Sequence, residues 1–427
     1  MTTTAISEQQ LIEMGQAAQA ASRELARQST QARNHALINI AEALEGDQSA
    51  VLEANRRDYQ QAKAGGMDPA LLDRLLLTPD RLSGTAEEVR NVAALPDPVG
   101  QIIETTTRPN GLELEKRRVP LGVIGSIYES RPNVTVDIAS LCLKSGNACL
   151  LRGGKESLES NTALVALIHQ ALAQAGLPPD AVQFVDNPDR ALVDTMLTMK
   201  KYINLLIPRG GSGLVTFVGE HATMPVVTGG VGVCHTYVDR AADLTKARKI
   251  IFNAKVQRPT VCNALDTVLL HAEIAPLCLP AIAEELSQAG VELRCDHRAI
   301  SILGPDHGLK VLPATPEDWG REFLSLIAAV KVVDSLDEAL EHIESYGSGH
   351  SEAIVTEDTP TAERFLDEVD AAAVYVNAST RFTDGSQFGL GAEVGISTQK
   401  FHARGPMGLA ELTSYKWVIR GSGQIRE

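Results

Sequence analysis

The sequence predicts an α/β protein with two lobes of mostly parallel β-sheet and a small projecting β arm. Three observations carry that prediction. Helix-patterned and strand-patterned segments alternate from Gly122 to Thr228, and the alternation resumes after Asp243. Between Gln101 and Val119, short β-prone runs broken by turn residues follow a region of helical pattern.

Each element follows from local chemistry. Over the first hundred residues apolar side chains recur on one helical face, as at Leu37, Ile38, Ile40, Ala41 and Leu44, which predicts an outer helical layer. Pro109, Asn110 and Gly111 form a turn cluster between Thr107 and Leu112, so the runs beside them read as a two-stranded arm. Strands are expected at 122–128, 148–152, 181–186, 203–208 and 225–228. The helix after Ser160 is the clearest, because Leu164, Val165, Leu167, Ile168, Ala171 and Leu172 share a face before Gly176 and Pro178 stop it. The second series starts with a helix through Ile250 and continues with strands at 267–271, 328–334, 352–356 and 372–377. Residues 412–419 read as a terminal strand pairing with the arm. The expected division is 1–100 with 119–240 in one lobe, 241–405 in the other, and 101–118 with 406–427 in the arm. Ligands of such sheets bind at the carboxyl ends of the strands.

With 44% hydrophobic and 22% charged residues, 427 residues suffice for more than one packed core without metals or disulfides. Acidic residues outnumber Lys plus Arg by 54 to 39, a formal charge of −15. Such a surface repels nucleic acid and anionic membranes, leaving a small-molecule substrate as the expected partner. An anionic ligand then needs a local group of cations. Glu8 and Glu13 precede the first basic residue, Arg23, and no run of about eighteen apolar residues occurs, so neither a secretion signal nor a membrane span is expected. Cys142, Cys149, Cys234, Cys262, Cys278 and Cys295 are scattered without a C-x-x-C pair. This pattern fits a reducing, cytoplasmic setting and no metal site.

The run NAKVQRPTVCNALD at Asn253–Asp266 puts Cys262 in a loop between a helix and a strand. A loop cysteine beside a helix end suits a nucleophile, because its thiolate form is favoured there. The plain alternative is a buried cysteine acting as a small hydrophobe, which suits Cys142 and Cys278 in their apolar helices. Spacing alone does not separate Cys262 from Cys234, which has His235 beside it. Two glycine clusters, RGGSG at Arg209–Gly213 and GGVG at Gly229–Gly232, suit either phosphate contact or a simple turn. RGGKES at Arg152–Ser157 lacks the first Gly and the Ser or Thr after Lys that a phosphate-binding P-loop needs.

Five longer runs carry a resemblance. They are KSGNACLLRGGKES from Lys144, LIPRGGSGLV from Leu206, QRPTVCNALDTVLLH from Gln257, HIESYGSGHSEAIVT from His342 and GLGAEVGISTQKFHARGPMGL from Gly389. On these the chain resembles the aldehyde dehydrogenase superfamily as far as Gly408, and within it the branch that reduces acyl phosphates. The resemblance implies an aldehyde-dehydrogenase-like fold: a Rossmann-type cofactor domain, an α/β catalytic domain and a β oligomerisation arm in a homo-oligomer. It implies NADPH-dependent reduction of L-glutamyl 5-phosphate to glutamate 5-semialdehyde and phosphate, the second step from glutamate to proline. Cys262 then aligns with the superfamily nucleophile, which forms a thioester. Arg152 and Lys155 fall where relatives contact the adenosine ribose, with Lys155 replacing the Glu of NAD-preferring members, so NADP is expected.

Other assignments follow the same alignment. Gly210 and Gly211 join the cofactor site, and Glu322 matches the Glu that holds the nicotinamide ribose. Asn133, in ESRPN, is the oxyanion candidate beside the Cys262 N–H. Arg131, Arg258, Arg381 and Arg404 are candidates for a carboxylate or phosphate clamp, and His350 for a substrate contact. Hydrolytic relatives carry a water-activating Glu before a Gly-Gly pair; here PVVTGGVGVCH, Pro225–His235, has no carboxylate. An acyl intermediate is thereby protected from water. Because acyl phosphates are labile, a transient association with glutamate 5-kinase is expected. Two other readings remain, oxidation of a different aldehyde and a catalytically silent scaffold, and thiol reactivity separates the second from the first.

Overall fold

A computed structural model describes residues 7–227, 229, 231–305 and 308–426. The chain divides into two compact units, one made of Met1–Thr228, Gly389–Gly395 and Met407–Glu427, the other of Gly229–Phe388 and Ile396–Pro406.

In the first unit, five helices (Glu8–Leu25, Thr30–Gly46, Gln48–Ala64, Pro69–Leu75 and Pro79–Ala94) precede the first strand. Their starts are marked by hydroxyl caps: Ser7, Ser29 and Thr78 each accept an N–H from the residue three places on. Leu37, Ile40, Ala41 and Leu44 are fully buried, as the periodicity requires. The arm is an antiparallel sheet in which Glu113–Pro120 lies between Ile102–Thr107 and Thr413–Arg420, so the terminal strand does pair with it.

The first unit's parallel sheet has the order Val182–Phe184, Ala148–Arg152, Val123–Tyr128, Leu205–Arg209. The helix Leu158–Gln174 buries Leu164, Ile168 and Leu172, each contributing about 1.5–3 kcal/mol by leaving water. The Gly146–Asn147 pair is structural. Gly146 sits at φ 75°, and the Asn147 amide bridges the Gly122 N–H and the Leu412 carbonyl, each at 2.8 Å. The strand expected at 225–228 is reduced to one bridge between Val226 and Leu206. Pro225 has no N–H to continue a ladder, and Thr228 lies outside the described residues.

The second unit holds a seven-stranded sheet in the order Val311–Pro313, Glu292–Cys295, Ile327–Val333, Leu265–His271, Cys234–Val238, Ser351–Val355, Ala373–Val376. Every neighbouring pair is parallel. Successive side chains point to opposite faces. Val268 and Leu270 pack with Ile251, Cys278 and Ile282 on one face, while Leu269 packs with Ile343 and Phe365 on the other. Helices therefore cover both faces, as a parallel sheet demands.

Two boundaries differ from expectation. Cys234–Val238 is a central strand of the second sheet, so the division falls at 228/229 and not at 240/241. Residues 389–395 belong to the first unit, where the Val394 N–H donates to the Met407 carbonyl and the Met407 N–H to the Gly395 carbonyl. The unexpected strand CHTYV has polar residues that mask its β pattern. His235 is fully buried only because Glu352, its register partner, accepts its N–H at 2.8 Å and faces its Nδ1 at 3.0 Å. Among the described residues no helix is long and apolar enough to cross a membrane.

Candidate active site

Cys262 lies in the second unit, between the helix Leu244–Val256 and the strand Leu265–His271. Asp243 caps that helix through bonds from the Thr245 and Lys246 N–H groups at 2.8 and 3.0 Å. The loop is held mainly by backbone. A Cβ on Gly232 would lie 1.6 Å from the Cys262 carbonyl oxygen, so only glycine fits there. The Cys234 Sγ donates to that same oxygen at 3.3 Å. Asn263 is tied down by its carbonyl, which accepts from Thr380 Oγ1 at 2.8 Å, and by its amide, which donates to the Thr383 carbonyl at 2.9 Å.

Burial separates the two cysteines that spacing left equal. Cys262 is half-buried, whereas Cys142, Cys149, Cys234, Cys278 and Cys295 are buried. Burial pushes the Cys234 thiol well up, Cys278 to about 11 and Cys295 to about 12, so these stay protonated thiols at neutral pH. Arg381 lies within electrostatic reach of Cys262, and Arg258 within reach of Arg381. Arg381 is made a weaker base by burial first and by Arg258 second, against the opposing pull of Asp384 and Cys262. Its Nε donates to Gln257 Oε1 at 3.1 Å. A cation within reach of a half-buried thiol suits an incoming phosphate.

Glu322 reaches the same centre. Its Oε1 accepts the Gly232 N–H at 2.9 Å, and burial raises its pKa. Behind it, Asp266 accepts the Phe323 N–H at 3.1 Å and faces buried Lys255, whose Nζ donates to the Leu265 carbonyl at 2.7 Å. Burial raises Asp266 to about 6 even with Lys255 opposing. Neither Lys255 nor Asp266 stood out in the sequence, since their pairing spans a loop.

Two further candidates have partners within the chain. His350 is fully buried and not placed for a substrate contact; its Nδ1 meets Ser351 Oγ at 2.8 Å, and Ser351 meets Thr383 at 2.7 Å, so it supports the turn carrying Arg381. Burial lowers its pKa to about 4, leaving a neutral ring. Arg404 is committed to Asp370 at 2.6 Å.

In the first unit the other candidates gather at the carboxyl ends of the parallel strands. Arg152 ends its strand, half-buried, and donates to the Pro188 carbonyl at 3.1 Å; burial lowers its pKa and the nearby Glu156 opposes that. Lys155 is exposed and opens the short turn Lys155–Ser157. A buried-side Arg and an exposed Lys three residues apart fit a phosphorylated ribose at the rim of the sheet. Gly210 and Gly211 are different. The Gly211 N–H donates to Glu129 Oε2 at 3.1 Å, and a Cβ on Gly210 would lie 2.4 Å from that oxygen. This pair houses a carboxylate of the chain itself. In GGVG, Gly230 lies outside the described residues.

The loop from Glu129 to Asn133 links strand Val123–Tyr128 to helix Asn133–Lys144. Ser130 has φ 47°, a left-handed conformation that costs a non-glycine residue about 1–2 kcal/mol. Its N–H and Oγ both donate to Glu156 Oε1, at 2.7 and 2.8 Å. Bonds to a charged acceptor contribute about 1.5–3 kcal/mol each, enough to hold the strained residue. Asn133 donates its amide to Asp137 Oδ2 at 3.0 Å. Asp137 is raised to about 7 by burial and by Glu88, with Arg209, Asn133 and Arg131 pulling it down. Glu129 and Glu156 were not singled out in the sequence, although each sits beside a motif that was. Among the described residues no group of acids, His and Cys is placed to hold a metal.

The aldehyde dehydrogenase family model matches residues 1–305 and 319–418. A relative from Dehalococcoides mccartyi strain CBDB1, named gamma-glutamyl phosphate reductase, is 62% identical over 414 residues, covering 97% of this chain and 98% of its own. One of the same name from Salmonella enteritidis PT4 is 55% identical over 416 residues, covering 97% and 100%. The crystal structure of gamma-glutamyl phosphate reductase from Thermotoga maritima superposes with a TM-score of 0.95 at 50% identity, covering 98% of this chain and 100% of that one. The expected fold class is thereby borne out, and so is the resemblance. The chain belongs to the aldehyde dehydrogenase family and, within it, to the gamma-glutamyl phosphate reductases.

Proposed function

We propose that this oxidoreductase reduces L-glutamyl 5-phosphate to glutamate 5-semialdehyde and phosphate with NADPH, through a thioester on Cys262. The observation that carries the reading is the half-buried Cys262 with Arg381 in electrostatic reach of it, in a chain 62% identical to a named gamma-glutamyl phosphate reductase. The Cys262 thiolate attacks the acyl carbon, its S–C bond forms, and the C–O bond to phosphate breaks with the electron pair leaving on phosphate. Arg258 and Arg381 favour both the thiolate and the departing dianion. Arg152 and Lys155 would hold the adenosine ribose phosphate, and Glu322 the nicotinamide ribose; NADPH, when bound, supplies the hydride for the acyl carbon. Collapse of the resulting thiohemiacetal breaks the S–C bond, returns the thiolate and frees the aldehyde. No carboxylate lies within Pro225–His235 to activate water against the thioester.

The arm presents Tyr415, Trp417 and Ile419, which are 49%, 49% and 59% exposed, and this supports a homo-oligomer joined there. Cytoplasmic placement and direct receipt of the labile acyl phosphate from glutamate 5-kinase complete the reading.

The test is a steady-state assay in the reverse direction. Reduction of NADP⁺ by glutamate 5-semialdehyde should require inorganic phosphate, and oxidation to free glutamate without phosphate would overturn the proposal. In the same assay Lys155→Glu should raise the KM for NADP⁺ about tenfold or more while leaving NAD⁺ use nearly unchanged.

A further inference from the structure

We infer that Glu156 is a positioning residue for the reaction, acting through Ser130 on the loop that carries Arg131 and Asn133. The inference rests on the reductase reading, under which Arg131 and Asn133 are the substrate and oxyanion candidates. Glu156 sits next to Lys155 in the sequence, which invites a role with the cofactor. Its contacts point elsewhere.

The Glu156 Oε1 accepts both the N–H and the hydroxyl of Ser130, at 2.7 and 2.8 Å, and Ser130 is 8% exposed. Ser130 needs that support, because a φ of 47° is a conformation a serine rarely adopts. Room for the carboxylate is made by Gly154, where a Cβ would lie 2.1 Å from the same oxygen. One residue earlier, Glu129 is held in the opposite sense by the Gly211 N–H. Both glycine-rich motifs, RGGKES and RGGSG, thus grip one loop through a carboxylate. Beyond Ser130 the chain has only Arg131 and Pro132 before the helix begins at Asn133, so the backbone at Ser130 sets where Arg131 and Asn133 stand. A loop displaced by about an ångström loses on the order of a hundredfold in rate when it carries groups that must meet the reacting atoms.

The alternative role for Glu156 is charge. It lies near Arg152 and opposes the fall in that residue's basicity. Charge and hydrogen-bond acceptance make different demands. Glutamine keeps an acceptor oxygen and loses the charge, whereas alanine loses both.

The experiment measures phosphate-dependent turnover and, separately, NADPH affinity by quenching of protein fluorescence. Glu156→Ala should lower kcat about thirtyfold or more with the NADPH Kd changed by less than about threefold. Glu156→Gln should stay within about fivefold of the parent kcat. Ser130→Ala removes the hydroxyl bond alone and should lower kcat several-fold. The double variant should be no slower than Glu156→Ala, because both changes break one contact. Iodoacetamide should alkylate Cys262 at the parent rate in each. If Glu156→Ala fails to fold, the Ser130→Ala and Glu156→Gln pair still decides. Equal damage from Gln and Ala, loss of NADPH affinity in step with kcat, additive losses, or an unimpaired Ser130→Ala would each overturn the inference. If the parent protein shows no phosphate-dependent turnover, it is the reductase reading that fails.

Discussion

The Cys262 loop of the second unit and the Glu129–Asn133 loop of the first are fixed by opposite means. Around Cys262 the tight contact is backbone on backbone, with Gly232 against the cysteine carbonyl. Around Ser130 the contact is a side-chain carboxylate lodged over a glycine, where Gly154 makes room for Glu156. A backbone contact has no slack, since neither partner can rotate away. A carboxylate contact tolerates an isostere that keeps the acceptor. The position of Cys262 should therefore fail abruptly on small changes, and that of the Glu129–Asn133 loop gradually.

The largest effect should separate the two cysteines on the Cys262 side. Cys262→Ser is expected to reduce kcat by about 10⁴-fold or more, as loss of a nucleophile does, while Cys234→Ser, which exchanges a thiol donor to the Cys262 carbonyl for a hydroxyl, should cost less than about tenfold. A comparable loss in both would mean that Cys234 takes part in the chemistry. Next in size is Gly232→Ala. The added methyl meets backbone and not a flexible side chain, so Cys262 must shift, and kcat should fall about a hundredfold with a lowered Tm. A near-normal rate in this variant would show that the loop has slack after all.

The smallest effects concern pH, and the two units should respond with opposite signs. In the second unit burial lowers His350 from 6.5 to about 4, so the unfolded chain binds the extra proton between those values. That stability is present above about 6.5 and is lost as pH falls towards 4. In the first unit burial raises Asp137 from 3.8 to about 7, so the folded chain binds the extra proton in that window. Its contribution is full below 3.8 and is lost as pH rises through 7. Unfolding midpoints measured from pH 4 to 8 should flatten on the acid side in His350→Gln and on the neutral side in Asp137→Asn. The reverse assignment of limbs would break the comparison.

Much of the fold was legible because its signals are local. The helix at Leu158–Gln174 and the strands at Val123–Tyr128 and Ala148–Arg152 announce themselves by period and by stop residues. The strand Cys234–Val238 did not, because His235 is tolerable in a core only through Glu352, more than a hundred residues away. Motif similarity put Cys262 forward, and burial then distinguished it from Cys234. The neighbour of the Gly210–Gly211 pair was hidden for a comparable reason. A glycine in sequence says that something comes close to the backbone, but not what, and at Gly210 and Gly211 it is Glu129.

By itself the sequence determined the alternation that builds two parallel sheets, the arm, the acidic balance, and the absence of a carboxylate from Pro225–His235. Those depend on residues within a few positions of one another, where periodicity and turn chemistry act. Tertiary structure decided which cysteine keeps an accessible thiol, that His350 is a neutral support, and that Glu156 serves Ser130. Each of these depends on desolvation or on a hydrogen bond between segments far apart in the chain, and neither exists until the chain has folded.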